Sequence, residues 1–131
     1  DFYKALELIQ KKGFTSVSVY GCSGLQQDHF LGNISTLTKY KEDLQIRCFD
    51  DFGFYFLAEK ETIIEGFQNE IISFFPFPKV EKFSSTGVKY PLTKKDLEIN
   101  NLISTRNTIT EERAEITFEK GNLLVFVQHK L

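Results

Sequence analysis

The segment Gly21, Cys22, Ser23, Gly24, Leu25, Gln26, Gln27, Asp28, His29 gathers residue types suited to handling phosphate. Two glycines at a strand-to-helix turn let the backbone approach an anion closely, and the helix N-terminus that follows offers free N–H groups and a positive dipole end. On spacing alone the same residues also read as an ordinary turn, with Asp28 in the first helical turn simply favouring the dipole. His29 has the titration range of a base or a metal ligand, and it suits a structural hydrogen bond equally well. No cysteine or histidine stands at ligand spacing from it. Cys22 has no close histidine and no cysteine two residues away, so it reads as a small packed side chain.

The elements around this segment follow from apolar spacing. Phe2, Ala5, Leu6 and Ile9 recur at i, i+3, i+4 and i+7, which predicts an amphipathic helix that Asp1 caps and Gly13 ends. Val17 and Val19 alternate with Ser16 and Ser18 as a strand that stops at Gly21. Phe30, Leu31, Ile34 and Leu37 share one face of a second helix, and Leu44, Ile46 and Cys48 alternate as another strand. Helix, strand, loop, helix, strand is the order of one half of a βα sheet, too short to cover both faces of a parallel sheet by itself.

After Asp50 the pattern changes to short apolar runs about ten residues apart: 54–57, 62–64, 71–75, 80–83, 97–99, 102–105, 114–118 and 123–127. Polar turns at 66–69 and 119–122 separate some of them. This predicts an antiparallel β-sandwich. The fold expected is therefore α+β: residues 1–50 as the C-terminal part of an α/β, Rossmann-like domain, and residues 51–131 as the sandwich. Fourteen phenylalanines, concentrated between Phe49 and Phe83, suit strands packed through bulky pairs.

Composition removes several function classes. Sixteen basic and eighteen acidic residues, interspersed, leave a net charge of −2, so no basic footprint for nucleic acid or anionic lipid is present. No apolar run approaches the roughly 20 residues of a membrane-spanning helix, and no signal-peptide pattern opens the chain. Two cysteines fit a reduced, cytoplasmic protein. The chain starts at Asp1 and contains no methionine, which suggests a piece of a longer protein.

Compared with known families, the chain resembles the thiamine pyrophosphokinases. Their segment G-A-T-G-G-R-x-D-H-x-L-A-N-I is similar to residues 21–34 here, from Gly21 through Asp28, His29 and Asn33 to Ile34. Their G-L-K-Y-P-L stretch matches Gly87, Val88, Lys89, Tyr90, Pro91 and Leu92, and their S-x-S-N stretch matches Ser104, Thr105, Arg106 and Asn107. A G-x-L-L-V ending matches the strand after Gly121. The motifs keep their order and intervals over nearly the whole chain.

The resemblance implies transfer of a diphosphate from ATP to thiamine, with Mg²⁺, in a cytoplasmic homodimer whose active site lies between subunits. It assigns Asp1 and Asp28 to catalysis and metal binding, and Gly21, Ser23, Gly24, Gln26 and His29 to the nucleotide and its diphosphate. Tyr90 would stack on thiamine, with Ser104 and Asn107 hydrogen-bonding its aminopyrimidine. Three departures stand out: the acidic residues that precede Asp1 in the family lie outside this chain, Gln26 replaces an arginine, and Arg106 replaces a serine. A neutral amide lacks the bidentate, charged grip of a guanidinium on phosphate. Loss of catalysis would leave a thiamine-binding sandwich, which is the competing expectation.

Overall fold

The two predicted helices form where their stripes lie, α1 at Phe2–Lys11 and α2 at Gln27–Lys39, in the computed structural model, which describes residues 2–24 and 26–129. The stripes are narrower than the sequence suggests. Leu6, Ile34 and Leu37 are buried, whereas Ala5 is exposed and Leu31 turns outward at 57% exposure. Strands β1 (Ser16–Tyr20) and β2 (Gln45–Asp50) pair in parallel, Ser16 opposite Gln45 through Tyr20 opposite Phe49.

The sheet does not stop at Asp50. The Asp50 carboxylate accepts hydrogen bonds from the backbone N–H groups of Phe52 and Gly53, closing a tight turn into β3 (Gly53–Leu57), which runs antiparallel to β2. β4 (Glu61–Glu65), β5 (Ile71–Thr86), β6 (Lys95–Glu98), β7 (Ser104–Thr108), β8 (Arg113–Thr117) and β9 (Lys120–Gln128) complete the set. The order is β1-β2-β3-β9-β5-β8-β4, with β6 and β7 also paired to β5.

β5 unites two runs that look separate in the sequence. Its start pairs with β9 and β7, its middle with β9 and β6, and its end with β8. Pro76 lacks an N–H to give to a ladder, and the β5–β9 register shifts between Pro76 and Val80. The expected sandwich is therefore one antiparallel sheet that curls on itself along β5. The expected α/β portion is represented by a single parallel pair and two helices; a full Rossmann-like layer is not in this chain.

Period-2 alternation divides the apolar residues between two cores. Phe54, Ile72, Phe74, Val80, Phe83, Leu97, Leu123, Val125 and Val127 point inside the curl. Tyr55, Phe75, Phe77, Leu124 and Phe126 point the opposite way, against Leu6, Ile34, Leu37 and Cys48 beneath the helices. The central strands thus serve both cores, and the phenylalanines split between them. Lys41 ties the sides together, its ammonium donating to the Gly121 carbonyl at 2.7 Å and to Asn122 Oδ1 at 3.1 Å. Among the described residues, no helix is long and apolar enough to cross a membrane.

Candidate functional site

β1 delivers the glycine-containing loop to the start of α2. Gly21 turns the chain at φ 77°, a conformation open to glycine, and its N–H donates to the Phe49 carbonyl at 3.3 Å. Cys22 folds inward and is buried, while Asn33 on α2 donates to the Cys22 carbonyl at 2.8 Å. α2 begins without a side-chain cap: Gln26 is extended and makes no capping hydrogen bond. Asp28 lies in the first turn, and its carboxylate accepts the His29 N–H at 3.0 Å. Gln26, Asp28 and His29 are all exposed. An uncapped helix start beside Gly24 leaves N–H groups for an anionic ligand.

Beneath this loop lies a group that the sequence did not single out. Ser23 donates to the Tyr55 hydroxyl at 3.2 Å, and that hydroxyl sits 3.0 Å from Cys22 Sγ. Hydrogen bonding from Cys48, reinforced by Tyr55, outweighs burial and lowers the Cys22 thiol to about 7. The partner moves oppositely: hydrogen bonding to Cys22 and burial push the Cys48 thiol far up. Tyr55 is raised as well, chiefly by burial. One thiolate is thus favoured at Cys22 and a second is suppressed.

A pH titration of thiolate absorbance should therefore show Cys22 deprotonating as the pH rises through about 7. Cys48→Ala should move that step upward, toward or beyond the ordinary thiol value, because desolvation remains while the main hydrogen-bond donor is gone. Cys48→Ser, which keeps a donor, should move it less. An unchanged step in Cys48→Ala would contradict this assignment.

The second region is built on β5 and β7. The loop 87–92 is held through a bridge between Val88 and Ile109 and through Lys89 N–H donating to the Thr108 carbonyl at 2.9 Å. Tyr90 stands out of it, 63% exposed. The Lys89 ammonium lies 5.3 Å from the centre of its ring. Asn107 is 2% exposed; its side-chain oxygen accepts the Tyr90 N–H at 3.1 Å and its amide nitrogen donates to the Tyr90 carbonyl at 3.0 Å. Ser104 is half-buried in β7, opposite Phe74.

Arg106 occupies an irregular stretch of β7, between the pairs Ile72–Asn107 and Phe74–Ser104. Its φ of 56° is uncommon for a side chain of this type, and its N–H donates to Ser73 Oγ at 2.9 Å. Thr105 and Arg106 border a cleft of about 350 Å³ whose other walls include Asp50, Phe52, Tyr55 and Phe126. Tyr55, one of these walls, is also the hydrogen-bond partner of Ser23 and Cys22.

The structure thus brings Tyr90 and Asn107 into contact, and Ser23 into contact with Tyr55. Among the described residues no hydrogen bond joins residues 21–29 to Tyr90, Ser104 or Asn107, and the cleft includes none of those three. Asp28 has no acidic, cysteine or histidine cluster around it capable of holding a metal by itself, again among the described residues. A single exposed carboxylate still suits Mg²⁺, which takes one or two protein carboxylates beside phosphate and water. Asp1 lies outside the described residues.

Comparisons with known proteins agree over this region and beyond it. Residues 60–123 match the family model for the thiamin pyrophosphokinase, vitamin B1 binding domain. The thiamine pyrophosphokinase of Bacillus subtilis is 31% identical over 129 residues, which is 95% of this chain and 60% of the relative. The crystal structure of the Bacillus subtilis enzyme superimposes with a TM-score of 0.88 at 29% identity, over 100% of this chain and 63% of the other. That of the thiamin pyrophosphokinase from Geobacillus thermodenitrificans gives 0.83 at 22% identity, over 97% and 60%. The second likeness is one of fold. The chain spans about three-fifths of the length of these relatives.

Proposed function

This chain belongs to the thiamine pyrophosphokinase family, and we propose that the protein containing it transfers a diphosphate from ATP to thiamine. The observation that carries this reading is the pairing, inside the matched vitamin B1 region, of an exposed Tyr90 with a buried Asn107 that grips its backbone. An exposed aromatic on a rigid support suits a flat cationic heterocycle, which gains from sharing area and charge with a π face. Ser104, half-buried on the same strand as Asn107, is the side chain proposed to hydrogen-bond the aminopyrimidine.

In this reading residues 51–131 form the thiamine-binding part and residues 1–50 the end of the nucleotide-binding part. The thiamine hydroxyl oxygen attacks the β-phosphorus of ATP in line, the bond from that phosphorus to the oxygen bridging to the α-phosphate breaks, AMP leaves with that oxygen, and the hydroxyl proton is released to water. Gly21, Ser23, Gly24, Gln26 and His29 surround the diphosphate, with the α2 amides as donors. Asp28 and Asp1 would hold Mg²⁺, which when bound neutralises phosphate charge. Such transfers depend on positioning and electrostatics more than on covalent help from the protein.

Among the described residues no hydrogen bond joins the two half-sites, and the cleft beside Arg106 includes neither Tyr90 nor residues 21–29. A homodimer that pairs the loop of one subunit with Tyr90 of the other would bring them together, which supports the intersubunit site. Two buried, unlinked cysteines fit a cytoplasmic setting.

A specific observation favours a second reading. Gln26 replaces the family arginine and makes no capping contact, which would suit a protein that binds thiamine without transferring phosphate. Incubating the intact protein with thiamine, ATP and Mg²⁺ separates the two. Thiamine diphosphate and AMP appearing in equal amounts is the expected result. Saturable thiamine binding with no AMP released would establish the binding module instead.

A further inference from the structure

We propose that Ser85 and Asn107 act together as positioning residues for the ligand bound at Tyr90, fixing the segment Tyr90–Pro91–Leu92 before any ligand arrives. The proposal rests on the thiamine reading of Tyr90 and assigns Asn107 a role behind the binding surface. Among the described residues, Ser85 at 3% exposure and Asn107 at 2% are the buried polar side chains apart from tyrosines and cysteines. Both attach to this one segment.

The backbone groups of the segment make the reason plain. Pro91 has no N–H to give to a ladder, and it biases Tyr90 toward extended conformations. Tyr90 and Leu92 each keep one donor and one acceptor that must be satisfied. Asn107 takes both groups of Tyr90, accepting its N–H at 3.1 Å and donating to its carbonyl at 3.0 Å. Ser85 takes both groups of Leu92: its hydroxyl accepts the Leu92 N–H at 3.0 Å, and its own N–H donates to the Leu92 carbonyl at 2.9 Å. Buried residues thus do the work of a neighbouring strand for a segment that lies in none.

Further contacts stiffen the clamp itself. The Asn107 oxygen also accepts the Thr108 N–H at 2.9 Å, so its amide plane is held from its own strand. Ser84, next to Ser85, accepts the Lys94 N–H at 2.9 Å and anchors the far end of the loop. Ser85 lies opposite Ile116 in the ladder between β5 and β8, which fixes its place. Buried polar groups that are fully paired specify a unique local geometry. The ring they support remains 63% exposed, so the rigidity is delivered to a surface that a ligand can reach. A support ordered in advance spares the ligand the entropy of ordering it.

Two substitutions in the intact protein test the pair, Asn107→Ala and Ser85→Ala, each followed by amide hydrogen exchange without ligand and by thiamine and ATP titrations. Exchange at Tyr90 should rise at least about tenfold in the first and exchange at Leu92 similarly in the second, while thiamine affinity falls about tenfold in both. ATP affinity should stay within about twofold, a selectivity that general destabilisation would not produce. Asn107→Ser, whose hydroxyl keeps a neutral group able to accept or donate, should fall between Asn107→Ala and the unmodified protein and serves if the alanine variant does not fold.

Thiamine affinity lost in Asn107→Ala with unchanged exchange at Tyr90 would make Asn107 a direct ligand contact and overturn the proposal. Faster exchange with unchanged thiamine affinity would overturn it equally, by showing that the segment's order does not serve the site. Tyr90→Ala marks the separate failure: if that variant binds thiamine as the unmodified protein does, the thiamine reading falls, whatever the exchange data show.

Discussion

Replacing Gly121 with alanine is expected to destabilise the fold by about 3 kcal/mol and to lower its melting temperature by roughly 10 °C. The residue adopts φ 112° at the start of β9, where side chains are strained. A Cβ placed there would collide with the Lys79 carbonyl oxygen and would lie 3.0 Å from both the Lys79 carbonyl carbon and Val80 Cα. All three are backbone atoms of β5, so no flexible side chain can give way.

The position also sits where the β5–β9 ladder resumes after its irregularity, with Gly121 opposite Val80, and its carbonyl receives the Lys41 ammonium. Separating the strands there would loosen both cores. Gly32 supplies the contrast. It is exposed in α2, and a methyl added there would meet nothing within 4 Å, so Gly32→Ala should stabilise by about 0.5–1 kcal/mol through helix propensity. Urea unfolding of both variants reads the two signs. A midpoint for Gly121→Ala equal to that of the unmodified protein would refute the close approach of β9 to β5.

Tyr90→Ala should weaken thiamine binding by about ten- to a hundredfold, the range that loss of aromatic stacking together with a cation–π contact gives. Stability should change by no more than about 0.5 kcal/mol, because the ring is mostly solvent-exposed and its removal opens no cavity. Tyr90→Phe should bind within about threefold of the unmodified protein, since the π face carries the contact and the residue's hydrogen bonds run through its backbone. The Lys89 ammonium near the ring repels a cationic ligand at short range, so Lys89→Gln should tighten thiamine binding modestly. A variant pattern in which phenylalanine fails as badly as alanine would point to the hydroxyl instead.

Much of this arrangement is visible in the sequence because it follows local periodicity. The α1 and α2 stripes, the strands at 16–20 and 45–50, and the succession of short strands beyond Asp50 all follow from spacing. The union of 71–75 with 80–83 into β5 does not, since Pro76 and Pro78 look like strand ends and their tolerance depends on where β9 shifts register. β7 shows the same limit. Leu102 and Ile103 resemble strand residues yet stay 37% and 38% exposed, while the ladder runs at 104–108 and buries Asn107.

Site residues divide along the same line. The glycine turn, Asp28 and Tyr90 carry local signals, whether a turn, a helix start or a motif. Spacing does not single out Tyr55 or Ser85, because each acquires its role through a partner outside its own strand: Cys22 lies thirty-three residues from Tyr55, and Leu92 seven from Ser85. Tyr55 is the one hydroxyl-bearing ring in the run Phe54 to Phe56, a difference that turns out to aim a polar atom at the loop before α2. A polar residue within an apolar strand is the signal that could have found it.

The most direct measurement is calorimetric titration of the intact protein with thiamine, run beside Tyr90→Ala. Saturable binding with one site per chain, lost or weakened at least about tenfold in the variant, is the expected result. Equal affinity in both proteins, or no binding by a folded and dimeric sample, would contradict a thiamine pocket built around Tyr90.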